Sequence, residues 1–189
     1  MKKLSLLVIF ASFSIFAKND PLLLLQLRAG YFYPASPIMR NLYHHGGAEL
    51  EAEAGLYVYR NVNAWVNFNY FHRHGRSFGL CNSTTVNMYP LSFGLKYDIH
   101  LTDRVALYLG AGASCSFIGI RDNSPFGFHR SRNSNTRWGA VAKSGFLFQL
   151  TDHLFMDVFA DGYYTRAKLV GTMHNIGGLR TGVGLGVSF

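Results

Sequence analysis

The chain has 189 residues, with 18 Lys and Arg against 10 Asp and Glu, a formal net charge of +8, 15% aromatic residues, 20 Gly and 2 Cys. Past the first segment, no stretch approaches the roughly 20 consecutive apolar residues that a membrane helix needs, so any membrane crossing must be made by strands.

The first element is MKKLSLLVIFASFSIFA. Lys2 and Lys3 precede an apolar run from Leu4 to Phe16, and Ala17 supplies a small residue for cleavage, although Ile15 is bulky for its place two residues earlier. This predicts a secretory signal over 1–17, too short to span a bilayer. No Cys lies near it, so nothing points to a lipid anchor. Its removal leaves 172 residues with a charge of +6, enough for one domain over 18–189 with a core of its own. Export takes the chain away from nucleic acid and into a compartment where thiols oxidise.

Period-two alternation then predicts eight strands, over 23–33, 47–59, 64–73, 85–97, 105–117, 138–149, 154–165 and 178–189. Each is near the roughly 9 to 11 residues of a tilted membrane strand. Connections 60–63, 98–104 and 150–153 are tight, whereas 34–46, 74–84, 118–137 and 166–177 are long and rich in Gly, Pro, Asn, Ser, His and Arg. Short turns on one side and long loops on the other is the rhythm of an outer-membrane barrel with its turns and both termini in the periplasm. Pro90, which cannot donate to a ladder, is expected at a bulge or at the true start of the fourth strand.

The faces carry chemistry. In AELEAEAGLYVY, Glu49, Glu51, Glu53, Tyr57 and Tyr59 oppose Ala48, Leu50, Ala52, Ala54, Leu56 and Val58. Asp157 and Asp161 oppose Met156, Val158 and Ala160, and Arg28, Lys96, Lys143 and Arg180 likewise stand opposite apolar partners. These nine residues are the expected lumen charge network, since charges in a narrow interior must pair or be hydrated. Inward Gly94, Gly110, Gly112, Gly145, Gly182, Gly184 and Gly186 would make room for them. Arg28 is expected to pair with one of the glutamates, and Arg180 to come near when the last strand closes beside the first. Tyr31, Tyr33, Trp65, Tyr70, Tyr97, Phe117, Trp138 and Tyr164 lie toward strand ends, where interfacial girdles belong. A half-buried soluble strand would alternate in the same way, so the membrane reading rests on export, aromatic strand ends and loop rhythm together.

Two connectors share Leu-Thr-Asp followed by a basic residue, LTDR at 101–104 and LTDH at 150–153, and Thr and Asp favour turns by bonding nearby backbone. With the glycine-rich stretch from Val105 to Ala113 and the ending GGLRTGVGLGVSF, the chain resembles the eight-stranded outer-membrane β-barrel proteins of Gram-negative-type bacteria, the broad group of OmpA, OmpX, OmpW and opacity proteins. The resemblance implies an all-β, antiparallel transmembrane barrel of meander topology in the bacterial outer membrane. It also implies that Val183, Leu185, Val187 and Phe189 form the terminal signal read by the barrel assembly machinery, which accounts for a chain ending on an aromatic residue.

The long connections carry Arg40, Arg76, Arg121, Arg130, Arg132, Arg137, Arg166 and Lys168 against the single acid Asp122, which suits contact with lipopolysaccharide phosphates or another acidic surface ligand. His44, His45, His72, His74, His129 and His174 also lie in or beside them. The HH and HRH pairs could supply imidazoles for zinc or copper, but no Cys or carboxylate stands at zinc-finger spacing, and no metal or other cofactor is expected. Cys81 and Cys115 fall on the same rim and could pair if their Cα separation allows. HNIGGL resembles the His-containing end of outer-membrane lipid A deacylases, yet no Ser accompanies His174 and Asn175 follows it directly, so no nucleophile and base can be assembled. The sequence thus predicts a non-enzymatic outer-membrane protein acting through basic, His-rich loops on a salt-bridged barrel. A narrow channel or carrier is the alternative, and a lipid A-modifying enzyme ranks below both.

Overall fold

The computed structural model describes residues 22–37, 40, 46–76, 83–122, 132–169 and 172–189. The signal segment 1–17 lies outside these residues. The strands are β1 (Leu23–Pro34), β2 (Gly47–Tyr59), β3 (Val62–Arg76), β4 (Ser83–Thr102), β5 (Val105–Asp122), β6 (Arg132–Gln149), β7 (Leu154–Leu169), β8 (Thr172–Asn175) and β9 (Gly178–Ser188). All but β8 form a closed antiparallel barrel in meander order, with β7 joined to β6 and β9 and the ring completed by β1 against β9. Closure reaches the chain end: Leu22 N donates to Phe189 O at 2.7 Å, and Phe189 N to Leu23 O at 2.9 Å. Short β8 pairs with β7 alone.

Polarity is inverted relative to a water-soluble barrel. Leu27 is 71% exposed and its neighbour Arg28 only 2%. Leu50, Phe68, Phe93, Leu95, Leu109, Val183 and Leu185 also face outward, whereas Asn, Ser, Asp, Glu, Lys and Arg fill the inside. In water this arrangement would forfeit the hydrophobic driving force. In a bilayer it is the stable one, because closure satisfies the ladder groups and the apolar face meets lipid.

The two Leu-Thr-Asp connectors are hairpin turns built by the same atom. Thr102 Oγ1 accepts from Arg104 N at 3.3 Å and Val105 N at 3.1 Å, and Thr151 Oγ1 from His153 N at 3.4 Å and Leu154 N at 3.0 Å. The third tight turn holds Arg60 at φ 40°, beside a register shift between Tyr57 and Tyr59. That bulge turns Tyr59 outward, correcting the inward position expected from strict alternation.

At the opposite end the strands outrun their expected limits. β5 and β6 stay paired to Arg121↔Arg132, so Arg76, Arg121, Arg132, Arg137, Arg166 and Lys168 belong to strands rather than loops. The outward face turns polar there, as at His72, His74 and Thr136, which ends the apolar-out pattern while Val86, Met88 and Ile118 stay buried and backbone pairing continues. Pro90 causes neither a bulge nor a strand start. The β3–β4 register resumes unchanged after a gap opposite Tyr89 and Pro90, where Pro90 has no N–H to give the ladder and its carbonyl accepts from Asn69 Nδ2 at 3.5 Å.

Candidate functional site: an ion-paired lumen

Inward positions on β1, β2, β4, β6, β7 and β9 bring the nine charged residues into one buried cluster. Glu51 lies at its centre, accepting from Arg28 Nη1 at 3.2 Å, Lys143 Nζ at 2.7 Å and Asn67 Nδ2 at 2.7 Å, and it also pairs with Arg180. Glu53 meets Lys143 at 2.5 Å, Arg28 at 3.7 Å and Lys96, and accepts from Gln26 at 2.9 Å. Asp161 sits 3.2 Å from Arg28, 3.5 Å from Lys143 and 3.3 Å from Arg180. Asp157 pairs with Arg28, and Glu49 with Arg180 at 2.8 Å. Each glutamate is flanked by bases from other strands, which is how three carboxylates on alternate residues of β2 coexist.

Small residues supply the space. A Cβ on Gly184 would lie 2.8 Å from Arg28 Cγ, and one on Gly145 would lie 2.5 Å from the Tyr108 hydroxyl. Rings complete the shell: Arg28 stacks 4.6 Å from the Phe159 centroid, Arg180 4.2 Å from Tyr163 and Lys143 4.7 Å from Trp65. Trp65 therefore faces the lumen and does not belong to the outer girdle. It shares its face of β3 with buried Asn63, Asn67, Asn69 and Phe71. Tyr31, Tyr33, Tyr70, Tyr97, Phe117, Trp138 and Tyr164 are on the outer surface.

The sequence reading missed the neutral members of the cluster other than Tyr57, and placed buried Asp98 in a tight turn. Tyr108 accepts from Arg28 Nη2 at 2.5 Å and donates to Asp157 at 3.1 Å, Tyr163 accepts from Arg180 at 2.6 Å, and Tyr57 donates to Asp98 at 2.5 Å. Their signal was present, since Asn67 and Asn69 alternate with Val66, Phe68 and Tyr70.

An apolar layer caps the charges on one side. Toward the long connections, Phe32, Phe71, Val86, Met88, Ile118 and Ile176 form a buried cluster inside the barrel. Ile176 is placed by the HNIGGL segment: Asn175 Oδ1 accepts from Gly177 N at 3.0 Å and Thr165 N at 3.3 Å, while Ile176 N donates to Thr165 O at 2.8 Å. The motif thus folds a plug into the lumen. Toward the tight turns, buried Leu24, Ala106 and Phe155 instead line, with Tyr57, His100, Arg104 and Asp152, a cavity of about 200 Å³. The cavity between the charges and the upper layer, lined by Glu49, Phe71, Met88, Tyr163, Ile176 and Arg180, measures about 20 Å³, room for roughly one water.

The remaining expected site residues are dispersed. Val183 and Leu185 project outward on β9 with Val187 on the same face, and Phe189, just after the strand, is exposed. Arg166 lies on the outer surface over the Tyr164 ring, 5.4 Å away, and Arg40 bonds the Tyr33 hydroxyl at 2.8 Å. Arg137 follows the inward alternation of Val141 and Lys143 and is half-buried opposite Ser116, so it borders the lumen and does not face lipid. Cys115 is free and stands on the outer face of β5 between Leu91 and Trp138. Cys81 and Arg130 lie outside the described residues, as do the side chains of Arg76, Arg121, Arg132 and Lys168.

No family model and no curated protein matches the chain. Solved structures do. Neisserial surface protein A superimposes with a TM-score of 0.65 at 17% identity, covering 88% of this chain and 97% of that one. The outer membrane protein OprG of Pseudomonas aeruginosa gives 0.61 at 11% identity, over 90% and 97%. Ail, the attachment invasion locus protein of Yersinia pestis, solved with the heparin analogue sucrose octasulfate, gives 0.57 at 12% identity, over 90% and 99%. At these identities the likeness establishes the fold, that of the eight-stranded bacterial outer-membrane barrels.

Proposed function

We propose that this outer-membrane β-barrel is a sealed, non-enzymatic scaffold that stabilises the membrane and presents a basic outer rim to anionic surface groups. One observation supports this above the rest. The lumen holds a layer of ion pairs capped toward the long connections by apolar side chains, with space for about one water between charge and lid. An ion crossing it would have to displace Glu51 and Arg28 from several partners at once, in surroundings where an unpaired charge is costly.

The rim acts through arginines held against girdle tyrosines, Arg40 on Tyr33 and Arg166 on Tyr164. A guanidinium fixed at that level is placed to meet lipopolysaccharide phosphates. Phe189 and the alternating apolar residues before it serve as the address for the barrel assembly machinery.

Conductance across a planar bilayer tests the sealed lumen, with a heat-modifiable gel shift to show that the barrel has formed. The folded protein should be silent, and Glu51→Gln should remain silent. Discrete openings whose ion selectivity changes in Glu51→Gln would replace the scaffold with a channel.

A further inference from the structure

His72 and His74 stand two residues apart on the outward face of β3, above the Tyr70 ring, directly opposite Asn87 and Thr85 of β4. Their Nε2 atoms face one another at 3.2 Å, with the rings edge to face and their centroids 4.8 Å apart. The other nitrogen of each ring is held from the neighbouring strand. His72 Nδ1 is 2.5 Å from Asn87 Oδ1, and His74 Nδ1 is 3.0 Å from Thr85 Oγ1. An amide oxygen only accepts, so His72 Nδ1 carries the proton and its Nε2 presents a lone pair. Thr85 can donate or accept, so His74 can hold its proton on either nitrogen.

Without a ligand, His74 Nε2–H donates to His72 Nε2 and the Thr85 hydroxyl donates to His74 Nδ1. If the hydroxyl rotates to accept instead, the His74 proton moves to Nδ1 and both Nε2 atoms present lone pairs, 3.2 Å apart, to a shared cation. Two Zn–N bonds of about 2.0 to 2.1 Å at a tetrahedral angle place their nitrogens about 3.3 Å apart, close to the distance these rings already keep. A right-angled copper site would want them near 2.8 Å, so the spacing favours a tetrahedral ion. The second shell is also of the ordinary kind, because ligating imidazoles usually donate their free N–H to a carbonyl or similar oxygen.

We propose that His72 and His74 form a surface site for a divalent zinc-type cation, with Asn87 and Thr85 fixing the rings and two positions left to water or exogenous ligands. Two strand neighbours and their cross-strand partners supply the whole protein part of it. Residue types separated by one position on a single strand gave only a weak signal, and the orientation of the rings turns it into a site.

The test is titration of the refolded, tag-free protein in detergent micelles with Zn(II) by calorimetry and with Co(II) by visible absorption. One ion per chain should bind with micromolar affinity, and Co(II) should give the intense bands of tetrahedral geometry. His72→Ala and His74→Ala should each weaken binding at least tenfold, and Asn87→Ala about tenfold through loss of ring orientation. His100→Ala, at the opposite end of the barrel, should leave it unchanged. His72→Gln and His74→Gln, checked for the gel shift of a folded barrel, serve where an alanine variant does not refold. Affinity that survives in the folded His72→Gln/His74→Gln protein, or no saturable binding to the folded wild type, would overturn the site.

Discussion

Arg28 reaches more of the buried acids than any other base among the described residues, so its removal gives the most informative perturbation. Its guanidinium touches Glu51 and Asp161 at 3.2 Å each, Glu53 at 3.7 Å and Asp157, and all five side chains are essentially without solvent exposure. Arg28→Ala does not strip each acid equally. Glu51 and Glu53 keep Lys143, and Asp161 keeps Lys143 and Arg180. Asp157 loses its only base within 4.0 Å among the described residues and retains the Tyr108 hydroxyl at 3.1 Å. Breaking a buried pair by deleting one member costs roughly 3 to 5 kcal/mol, because the surviving charge stays desolvated. With three acids still paired, the expected loss is near the lower end, about 3 kcal/mol. If the stranded Asp157 is the cause, Arg28→Ala/Asp157→Asn should be more stable than the sum of its parts, by about 1 to 2 kcal/mol. Urea unfolding from lipid vesicles gives both quantities, followed by gel mobility and by tryptophan fluorescence, in which Trp65 reports on the lumen. An Arg28→Ala barrel within about 0.5 kcal/mol of wild type, or strict additivity in the double variant, would refute the assignment, since surface-type changes are of that size.

Two further substitutions separate the layers of the lumen. Gly145→Ala forces a Cβ to within 2.5 Å of both the Tyr108 hydroxyl and the Val158 carbonyl. It should cost about 1 to 3 kcal/mol in the same unfolding assay by overpacking, and an unchanged midpoint would mean that the contact relaxes freely. Ile176→Ala removes part of the apolar lid and should cost about 2 to 4 kcal/mol while leaving the barrel electrically silent, because the charged layer below it remains. Conductance in that variant alone would show that the lid, not the ion pairs, closes the lumen.

What was legible in the sequence was local. Period-two alternation depends only on the pleat, so the chain itself showed that Glu49, Glu51 and Glu53 share a face, and that Arg28, Lys96, Lys143, Asp157, Asp161 and Arg180 lie opposite apolar neighbours. The Thr residues of LTDR and LTDH were readable for the same reason, since a hydroxyl capping amides two and three residues on needs no distant partner. Errors came where a local rule met a geometric one. Trp65 was drawn to the girdle by its place near a strand end, while its alternation with Asn67 and Asn69 pointed inward. Tyr59 was displaced by a bulge that alternation does not encode. The strand extensions to Arg121 and Arg132 follow backbone pairing after the apolar-out pattern has ended.

Pairing across the lumen could be decided only by the closed barrel. Arg28 meets Asp161, and Arg180 meets Glu49, over separations of 133 and 131 residues. Which acids and bases share a level depends on the stagger of eight strands around a ring, a quantity that no single strand contains. The same holds for Ile176, which enters the lumen only because β8 and the turn after it fold back on β7, and for His72 and His74, whose nitrogens converge because Asn87 and Thr85 hold them from the next strand. Away from the bulge at Tyr59, the sequence by itself determined which side chains face inward, because facing is a property of one strand. The tertiary structure alone decided what they touch, because contact in a narrow lumen is a property of closure.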